Sequence, residues 1–151
     1  MNPYTYARYL VSTGPASLLV FRLHRVVYQL SGGRLLPTSG SRMPVLLLTT
    51  TGRKSGKART WPLNYDPYGD GVVVVASNRG QPPYPQWYRN LLAHPEATIQ
   101  RGAKRQRVMA RAASDEEADK LWPILTELEP LYLQYRTMTD RPFPLVVLTP
   151  A

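Results

Sequence analysis

A basic segment flanked by glycines is the part of this sequence best suited to bind a ligand. It reads Gly52-Arg53-Lys54-Ser55-Gly56-Lys57-Ala58-Arg59. The glycines let the backbone approach a ligand closely, and the cations with the Ser55 hydroxyl suit a phosphate or a carboxylate-rich chain. It is not a Walker A loop, because three rather than four residues separate its glycines and Ala58 follows Lys57. A solvated hairpin tip is an equally good interpretation, since exposed turns collect glycine and lysine.

The distribution of charge along the chain supports an anionic ligand. Residues 1–65 contain nine Lys or Arg and no Asp or Glu, whereas residues 66–151 contain ten of each sign. The whole surplus of the chain, +9, therefore comes from residues 1–65. A distribution of positive charge this one-sided predicts that the N-terminal half of the molecule binds a negatively charged partner.

The inventory of catalytic side chains is small. The chain has no cysteine, and its two histidines, His24 and His94, do not have the spacing of metal ligands. Thiolate nucleophiles and disulfides are excluded, and neither a metal centre nor a Ser-His-Asp triad is expected. If a protein of this composition is an enzyme, we expect a cofactor to carry out the chemical step.

Three further segments carry polar or aromatic groups that could meet a ligand. The first is Ser77-Asn78-Arg79-Gly80 at the end of an apolar run, where an ordinary strand-to-loop transition is the alternative. The second is a short helix with Trp87, Asn90, Leu91 and His94 on roughly one face, although tryptophan is more often a core residue. The third is a stripe of Tyr132, Tyr135 and Met138, which would form either core packing or a lid over a flat ligand.

The first 33 residues read as a basic amphipathic helix region. Leu19, Leu23, Val26, Val27 and Leu30 recur at helical spacing on one side, Arg22, Arg25 and Gln29 lie on another, and Ser31-Gly32-Gly33 ends the helix. Such a helix either packs on the domain with its arginines solvated or lies on an anionic membrane surface. We find no secretory signal and no uninterrupted apolar span, so we expect a cytoplasmic protein.

The remainder, residues 34–151, reads as one α+β domain built around a small barrel. Strands are predicted where β-branched and aliphatic residues run or alternate, and Ser114 to Glu117 forms a capping box at a helix start. The predicted order is strand 45–51, strand 59–65, turn 66–71, buried strand 72–77, loop 78–85, helix 86–94, strands 97–101 and 106–112, helix 114–138 with a bend near Pro123 or Pro130, and strand 144–149.

Taken together, three segments resemble the deazaflavin-dependent nitroreductase family. They are Leu47 to Gly56 with Arg59 and Pro62, then Trp87-Tyr88-Arg89-Asn90-Leu91, and finally Thr139-Asp140-Arg141. Members of that family are split β-barrels, similar to the FMN-binding split barrels, with flanking helices. They use reduced coenzyme F420 to reduce quinones and, in some cases, nitroimidazoles. The resemblance therefore implies an F420H2-dependent oxidoreductase with a quinone or nitroaromatic acceptor.

The resemblance also implies a role for each segment. The anionic phosphate and polyglutamate tail of F420 would be clamped by Arg53, Lys54, Ser55, Gly56, Lys57 and Arg59. The deazaflavin would lie along Thr60, Trp61, Pro62, Leu63 and Asn64, would meet Ala76, Ser77, Asn78 and Arg79, and would have Trp87 and Asn90 near its other end. The acceptor would contact Tyr132, Tyr135 and Met138, with Ser77 and Tyr132 as the catalytic hydrogen-bonding groups. A lipophilic quinone would also suit membrane contact through the N-terminal helix.

Two other functions remain open from the sequence. An FMN-dependent split-barrel oxidoreductase could place the FMN phosphate in the same basic loop. A nucleic-acid-binding protein would fit the isoelectric point of about 10.1. We do not expect a nucleic-acid partner, however, because the aromatic residues are not interleaved with the basic ones as in stacking platforms.

Overall fold

Seven antiparallel strands form one sheet in the spatial order β2-β1-β5-β6-β7-β4-β3. The structure, a computed structural model, describes residues 17–35 and 41–151, so residues 1–16 of the predicted N-terminal region and residues 36–40 lie outside the described residues. The strands are β1 (Val45–Thr51), β2 (Ala58–Asn64), β3 (Asp66–Tyr68), β4 (Gly71–Val75), β5 (Glu96–Arg101), β6 (Lys104–Ala112) and β7 (Leu145–Pro150).

Helices flank the sheet at the positions where the sequence predicts them. Ser114 Oγ accepts a hydrogen bond from the N–H of Glu117, and the Glu117 carboxylate accepts one from the N–H of Ser114, which confirms the capping box. The predicted bend falls before Pro130, while Pro123 lies inside a continuous helix. The elements are α1 (Ser17–Ser31), a short 3-10 turn (Asn78–Gly80), α2 (Gln86–Ala93), α3 (Asp115–Leu128) and α4 (Leu131–Arg136).

Strand β4 lies between two apolar clusters. Because side chains alternate along a strand, Val72 and Val74 enter a cluster with Leu46, Leu48 and Trp87, whereas Val73 and Val75 enter one with residues of α3 and α4. All five residues of β4 are buried, as the sequence predicts for a strand covered on both faces. The sheet curls until β2 approaches β4 across the barrel, which confirms the predicted split barrel.

One predicted turn contains a strand. Residues 66–71 read as dense turn chemistry, but Asp66 to Tyr68 pair with β4 and only Gly69 and Asp70 make the turn. Pro67 has no N–H with which to form a hydrogen bond to a neighbouring strand. It is tolerated because β3 is an edge strand, which has a neighbour on one side only.

Helix α1 packs on the barrel through residues other than its leucine stripe. Tyr28 is buried, and its hydroxyl accepts a 2.7 Å hydrogen bond from the N–H of Gly102 in the β5–β6 turn. Arg25 donates to the carbonyl of Thr60 on β2 at 3.3 Å. Leu23 and Leu30 are 61% and 85% exposed. The helix is confirmed, and it packs on the domain as one of the two interpretations expects. Arg22 is exposed, in keeping with that interpretation, whereas Arg25 is half-buried against β2.

Candidate functional site

The basic segment forms a tight loop at the tip of the β1–β2 hairpin. Thr51 and Ala58 pair across its base, the N–H of Gly52 donates to the carbonyl of Lys57, and the N–H of Gly56 donates to the carbonyl of Gly52. A Cβ atom on Gly52 would lie 2.7 Å from Ser55 Oγ and 3.1 Å from the carbonyl oxygen of Lys57, so the tight closure favours glycine there. Lys54, Lys57 and Arg59 are exposed on this loop, whereas Arg53 is half-buried.

Asn90 on α2 ties this loop to the helix. It is 3% exposed, and its Oδ1 accepts hydrogen bonds from the backbone N–H of Arg53 at 3.2 Å and from Arg53 Nη1 at 3.1 Å. Its Nδ2 donates to Thr50 Oγ1 at 3.0 Å, and Gln86 Oε1 accepts a 2.8 Å bond from the Arg53 guanidinium. Asn90 therefore fixes the base of the loop, while its neighbour Trp87 is buried in the barrel core.

A groove extends from the loop along β2. It consists of two open cavities that share Arg59 and Trp61 in their linings. We call the one beside the loop and α2, about 380 Å³, the outer cavity, and the one between α1 and β2, about 370 Å³, the inner cavity. No carboxylate lines either cavity, and no acid of the described ranges lies within ion-pair distance of the four loop cations. The outer lining is Gly52, Arg53, Lys54, Ser55, Arg59, Trp61, Gln86, Arg89 and Asn90, and the inner lining is Arg25, Gln29, Ala58, Arg59, Thr60 and Trp61.

Six residues of this groove do not figure among the predicted site residues. Gly52 and Ala58 lie within the basic segment, and the other four, Arg25, Gln29, Gln86 and Arg89, lie outside it. Gln86, Arg89 and Asn90 have the i, i+3, i+4 spacing of one helix face, so the position of Asn90 could have identified its two neighbours. Arg25 and Gln29 give no such signal, because only the tertiary packing of α1 brings them to β2.

The predicted ring-binding residues of β2, Thr60 to Asn64, are all half-buried along an edge of the sheet. Thr60 shares a 2.8 Å hydrogen bond with Thr49 on β1. Asn64 donates to the buried carboxylate of Glu129 at 3.2 Å. These side chains are thus held in place by neighbouring elements.

The predicted site residues at the exit of β4, Ala76 to Arg79, line neither cavity of the groove. Ala76 and Ser77 are buried, and Asn78 and Arg79 both have positive φ angles, 45° and 55°. Arg79 donates to Ser17 Oγ at 2.6 Å and lies over the ring of Phe21, both on α1. Helix α1 therefore contacts the two predicted cofactor-binding segments, β2 and the turn after β4.

The residues that were predicted to contact the electron acceptor do not line the groove. Tyr132 and Tyr135 are buried in the apolar cluster beneath α3 and α4, and Tyr132 stacks on Trp122 with ring centroids 6.1 Å apart. Met138 is half-buried, and its sulfur would be 2.9 Å from a Cβ placed on Gly80. The two tyrosines therefore pack in the core, as one of the two interpretations of the sequence expects. Met138, at the end of the stripe, lies next to Gly80 in the turn after β4.

Known proteins resemble this chain over most of its length. The sequence matches the F420H(2)-dependent quinone reductase family over residues 20–150. An F420H(2)-dependent quinone reductase of Mycobacterium tuberculosis is 40% identical over 133 residues, covering 86% of this chain and 89% of the relative. A solved F420-H2 dependent reductase, FDR-A, is 39% identical with a TM-score of 0.63, covering 70% of this chain and 93% of that one.

A second solved structure, described as a domain-swapped dimer, is 33% identical with a TM-score of 0.65 and covers 89% of this chain and 99% of that one. TM-scores of this size show that both structural neighbours share the fold of this chain. The resemblance inferred from the sequence is thus confirmed for the quinone reductases, and this chain belongs to the F420H(2)-dependent quinone reductase family.

Proposed function

We propose that this protein is an oxidoreductase that uses reduced coenzyme F420 to reduce a quinone. The observation that carries the proposal is the acid-free basic cavity at the β1–β2 loop, fixed to α2 by Asn90. Family membership supports the same cofactor and the same class of acceptor.

The chemistry of the groove fits an anionic cofactor tail. Arg53, Lys54, Arg59 and Arg89 line the outer cavity together with the Ser55 hydroxyl, and no carboxylate lines it. Several guanidinium and ammonium groups with a neighbouring hydroxyl are the donors that phosphate and carboxylate groups require. Lys57 adds a further cation at the same exposed loop. We therefore assign the tail to this loop and the ring to the groove along β2.

Bound in this groove, the cofactor supplies the hydride. The protein holds donor and acceptor close together and excludes water from between them. Thr60 to Asn64 would orient the ring from β2, and Ala76 to Arg79 would face it from the exit of β4. Helix α1 contacts both segments, so it would limit the access of water to the space between them.

We place the acceptor on the side of the ring that faces α4. Reduction of a quinone by hydride leaves negative charge on an oxygen, and a hydrogen-bond donor aimed at that oxygen lowers the barrier. The hydroxyls of Ser77 and Tyr132 are our candidates for this role, with Tyr135 and Met138 as apolar contacts. Nitroaromatic compounds are a second class of acceptor that the same hydride could reduce.

We further propose that α1 touches a membrane surface in which a lipophilic quinone is dissolved. Leu19, Leu23 and Leu30 leave an apolar face uncovered, and the first 65 residues contain no acid. None of the helices in residues 17–35 and 41–151 is long and apolar enough to cross a bilayer. An uncovered apolar face on a basic helix is typical of binding in the plane of the interface. This gives residues 1–33 a role separate from that of the barrel, residues 34–151.

The activity is tested by mixing the purified protein with F420H2 and each member of a panel of quinones and nitroaromatics. We expect the absorbance of oxidised deazaflavin to return with quinones. Protein that contains FMN and does not oxidise F420H2 would instead support the FMN alternative. Submicromolar DNA binding at low salt that weakens steeply with added salt would support the nucleic-acid alternative.

Membrane contact is tested by sedimentation with vesicles of phosphatidylglycerol and phosphatidylcholine. The double variant Leu23→Asp/Leu30→Asp should lose vesicle binding at least about tenfold. Ile124→Asp/Leu133→Asp is the matched control, because these residues are similarly exposed but lie on α3 and α4. If Leu23→Asp/Leu30→Asp dissociated a dimer and left vesicle binding unchanged, the exposed face would belong to a protein interface instead.

A further inference from the structure

Arg141 does not line the groove, although Thr139-Asp140-Arg141 belongs to the family resemblance. Its guanidinium lies behind the turn that follows β4. It donates to the carbonyls of Ala76 at 3.0 Å, Ser77 at 2.8 Å and Gln81 at 3.0 Å. A further bond reaches the carbonyl of Pro142 at 3.0 Å. One side chain thus joins the two ends of the turn to the segment that leads into β7.

Two aromatic rings hold the guanidinium in place. Its central carbon lies 4.7 Å from the ring centroid of Tyr84 and 5.0 Å from that of Phe143. Stacking on rings suits the planar guanidinium and leaves its N–H groups free to donate in the plane. Partial burial lowers the pKa of Arg141. Because arginine stays charged even so, the contacts persist through the physiological pH range.

The turn that Arg141 holds is strained. Asn78 and Arg79 are consecutive residues other than glycine in the left-handed region, with φ angles of 45° and 55°. Such a conformation persists only where surrounding contacts impose it. Within the turn itself, the N–H of Gly80 donates to the carbonyl of Ser77, and the N–H of Gln81 donates to that of Asn78. These two hydrogen bonds close the turn, and the Arg141 guanidinium binds the carbonyls at both ends of the turn.

We propose that Arg141 is the positioning residue that keeps the turn from Ala76 to Arg79 in the conformation that faces the cofactor. The proposal rests on the proposed function, which places these four residues beside the deazaflavin. Arg141 acts through the turn and does not itself touch the cofactor. A lysine could not replace it fully, because an ammonium group has no planar fork with which to span three carbonyls.

The variant Arg141→Met keeps the length of the side chain and removes every donor. We expect the Kd for F420, measured by fluorescence quenching well below the unfolding temperature, to rise about tenfold. The quinone KM should change less than twofold. Arg141→Lys should recover part of the affinity. Arg136→Met is the matched control, since Arg136 is an exposed arginine of α4 that also stacks on an aromatic ring, that of Trp122. It should bind F420 as the unmodified protein does.

Hydrogen exchange provides a readout that does not depend on the cofactor. In Arg141→Met the amides of Gly80 and Gln81 should exchange at least about tenfold faster, while the amides of β1 and β5 keep their protection. Unchanged F420 affinity or unchanged exchange at these two amides would overturn the proposal. If the unmodified protein bound no F420, the proposed function would fail, yet exchange would still decide whether Arg141 orders the turn.

Discussion

Asn90 accepts two hydrogen bonds from Arg53, one from its backbone N–H at 3.2 Å and one from its guanidinium at 3.1 Å. The two residues lie 37 positions apart, in two of the three segments that carry the family resemblance. The helix segment fixes the basic loop to the barrel and leaves Lys54, Lys57 and Arg59 exposed.

The first prediction concerns this contact. Asn90→Ala removes the acceptor for Arg53 and the donor to Thr50, and it leaves buried polar groups without partners. We expect a loss of about 1–3 kcal/mol in the free energy of unfolding, measured by urea denaturation. The Kd for F420 should rise as well, because the loop loses its anchor. Leu92→Ala on the exposed side of α2 is the control and should change neither quantity appreciably. A stable Asn90→Ala protein with normal affinity would contradict the anchoring role.

The second prediction tests the basic clamp. Arg53→Ala/Lys54→Ala should raise the Kd for F420 at least tenfold, or about 1.4 kcal/mol, because two cations facing the acidic tail are lost. Fluorescence quenching measures the affinity. Lys104→Ala/Arg105→Ala removes the same charge from the β5–β6 hairpin. This variant controls for the electrostatic attraction of the whole protein, and it should raise the Kd much less. Equal effects of the two double variants would mean that net charge, rather than the loop, attracts the cofactor.

The sequence predicted six of the seven strands and the basic loop because these are local patterns. β4 is a run of valines, and the loop is defined by glycine and charge within eight residues. It could not predict which face of α1 packs, because the buried contacts of that helix, Tyr28 with Gly102 and Arg25 with Thr60, join residues far apart in the chain. For the same reason the inner cavity of the groove and the contacts of Arg141 came only from the structure.

A third prediction concerns Gly80, whose φ angle is +74°. A Cβ at this position would lie 2.7 Å from the carbonyl oxygen of Tyr135. Gly80→Ala should therefore push the turn after β4 away from α4 and cost about 3 kcal/mol of unfolding free energy. Gly69→Ala is the matched control, since Gly69 also has a positive φ but open space around it, and it should cost about 1 kcal/mol. Equal losses, measured by urea denaturation, would show that the turn and α4 separate easily.

A fourth prediction uses pH to test the start of α3. The Arg111 guanidinium, the N–H of Ser114 and the Tyr68 hydroxyl all donate to Glu117, and together they hold the pKa of its carboxyl well below the usual range. A carboxyl whose pKa is lower in the folded state stabilises the protein above its unfolded pKa, near 4.3, and loses that effect as the pH falls. Glu117→Gln should therefore reduce the stability at pH 7, and the difference should shrink at pH 3.

Urea denaturation at the two pH values measures this difference. Glu116→Gln is the control, because Glu116 forms an exposed ion pair with Lys120 one turn along the same helix. Exposed pairs of this kind contribute little to stability, so that variant should resemble the unmodified protein at both pH values. If Glu117→Gln were equally destabilising at pH 3 and pH 7, the loss would come from helix capping geometry and not from the charge.

The last prediction separates catalysis from packing at Tyr132. This residue is buried and stacks on Trp122, so replacing the whole ring would disrupt the core. Tyr132→Phe keeps the ring and removes only the hydroxyl. If that hydroxyl stabilises the developing charge on the quinone oxygen, kcat should fall about 100-fold with F420 affinity unchanged. Tyr68→Phe removes the same atom where it contacts Glu117, away from the groove, and should leave kcat unaltered. An undiminished kcat in Tyr132→Phe would leave Tyr132 with a packing role alone and Ser77 as the remaining candidate donor.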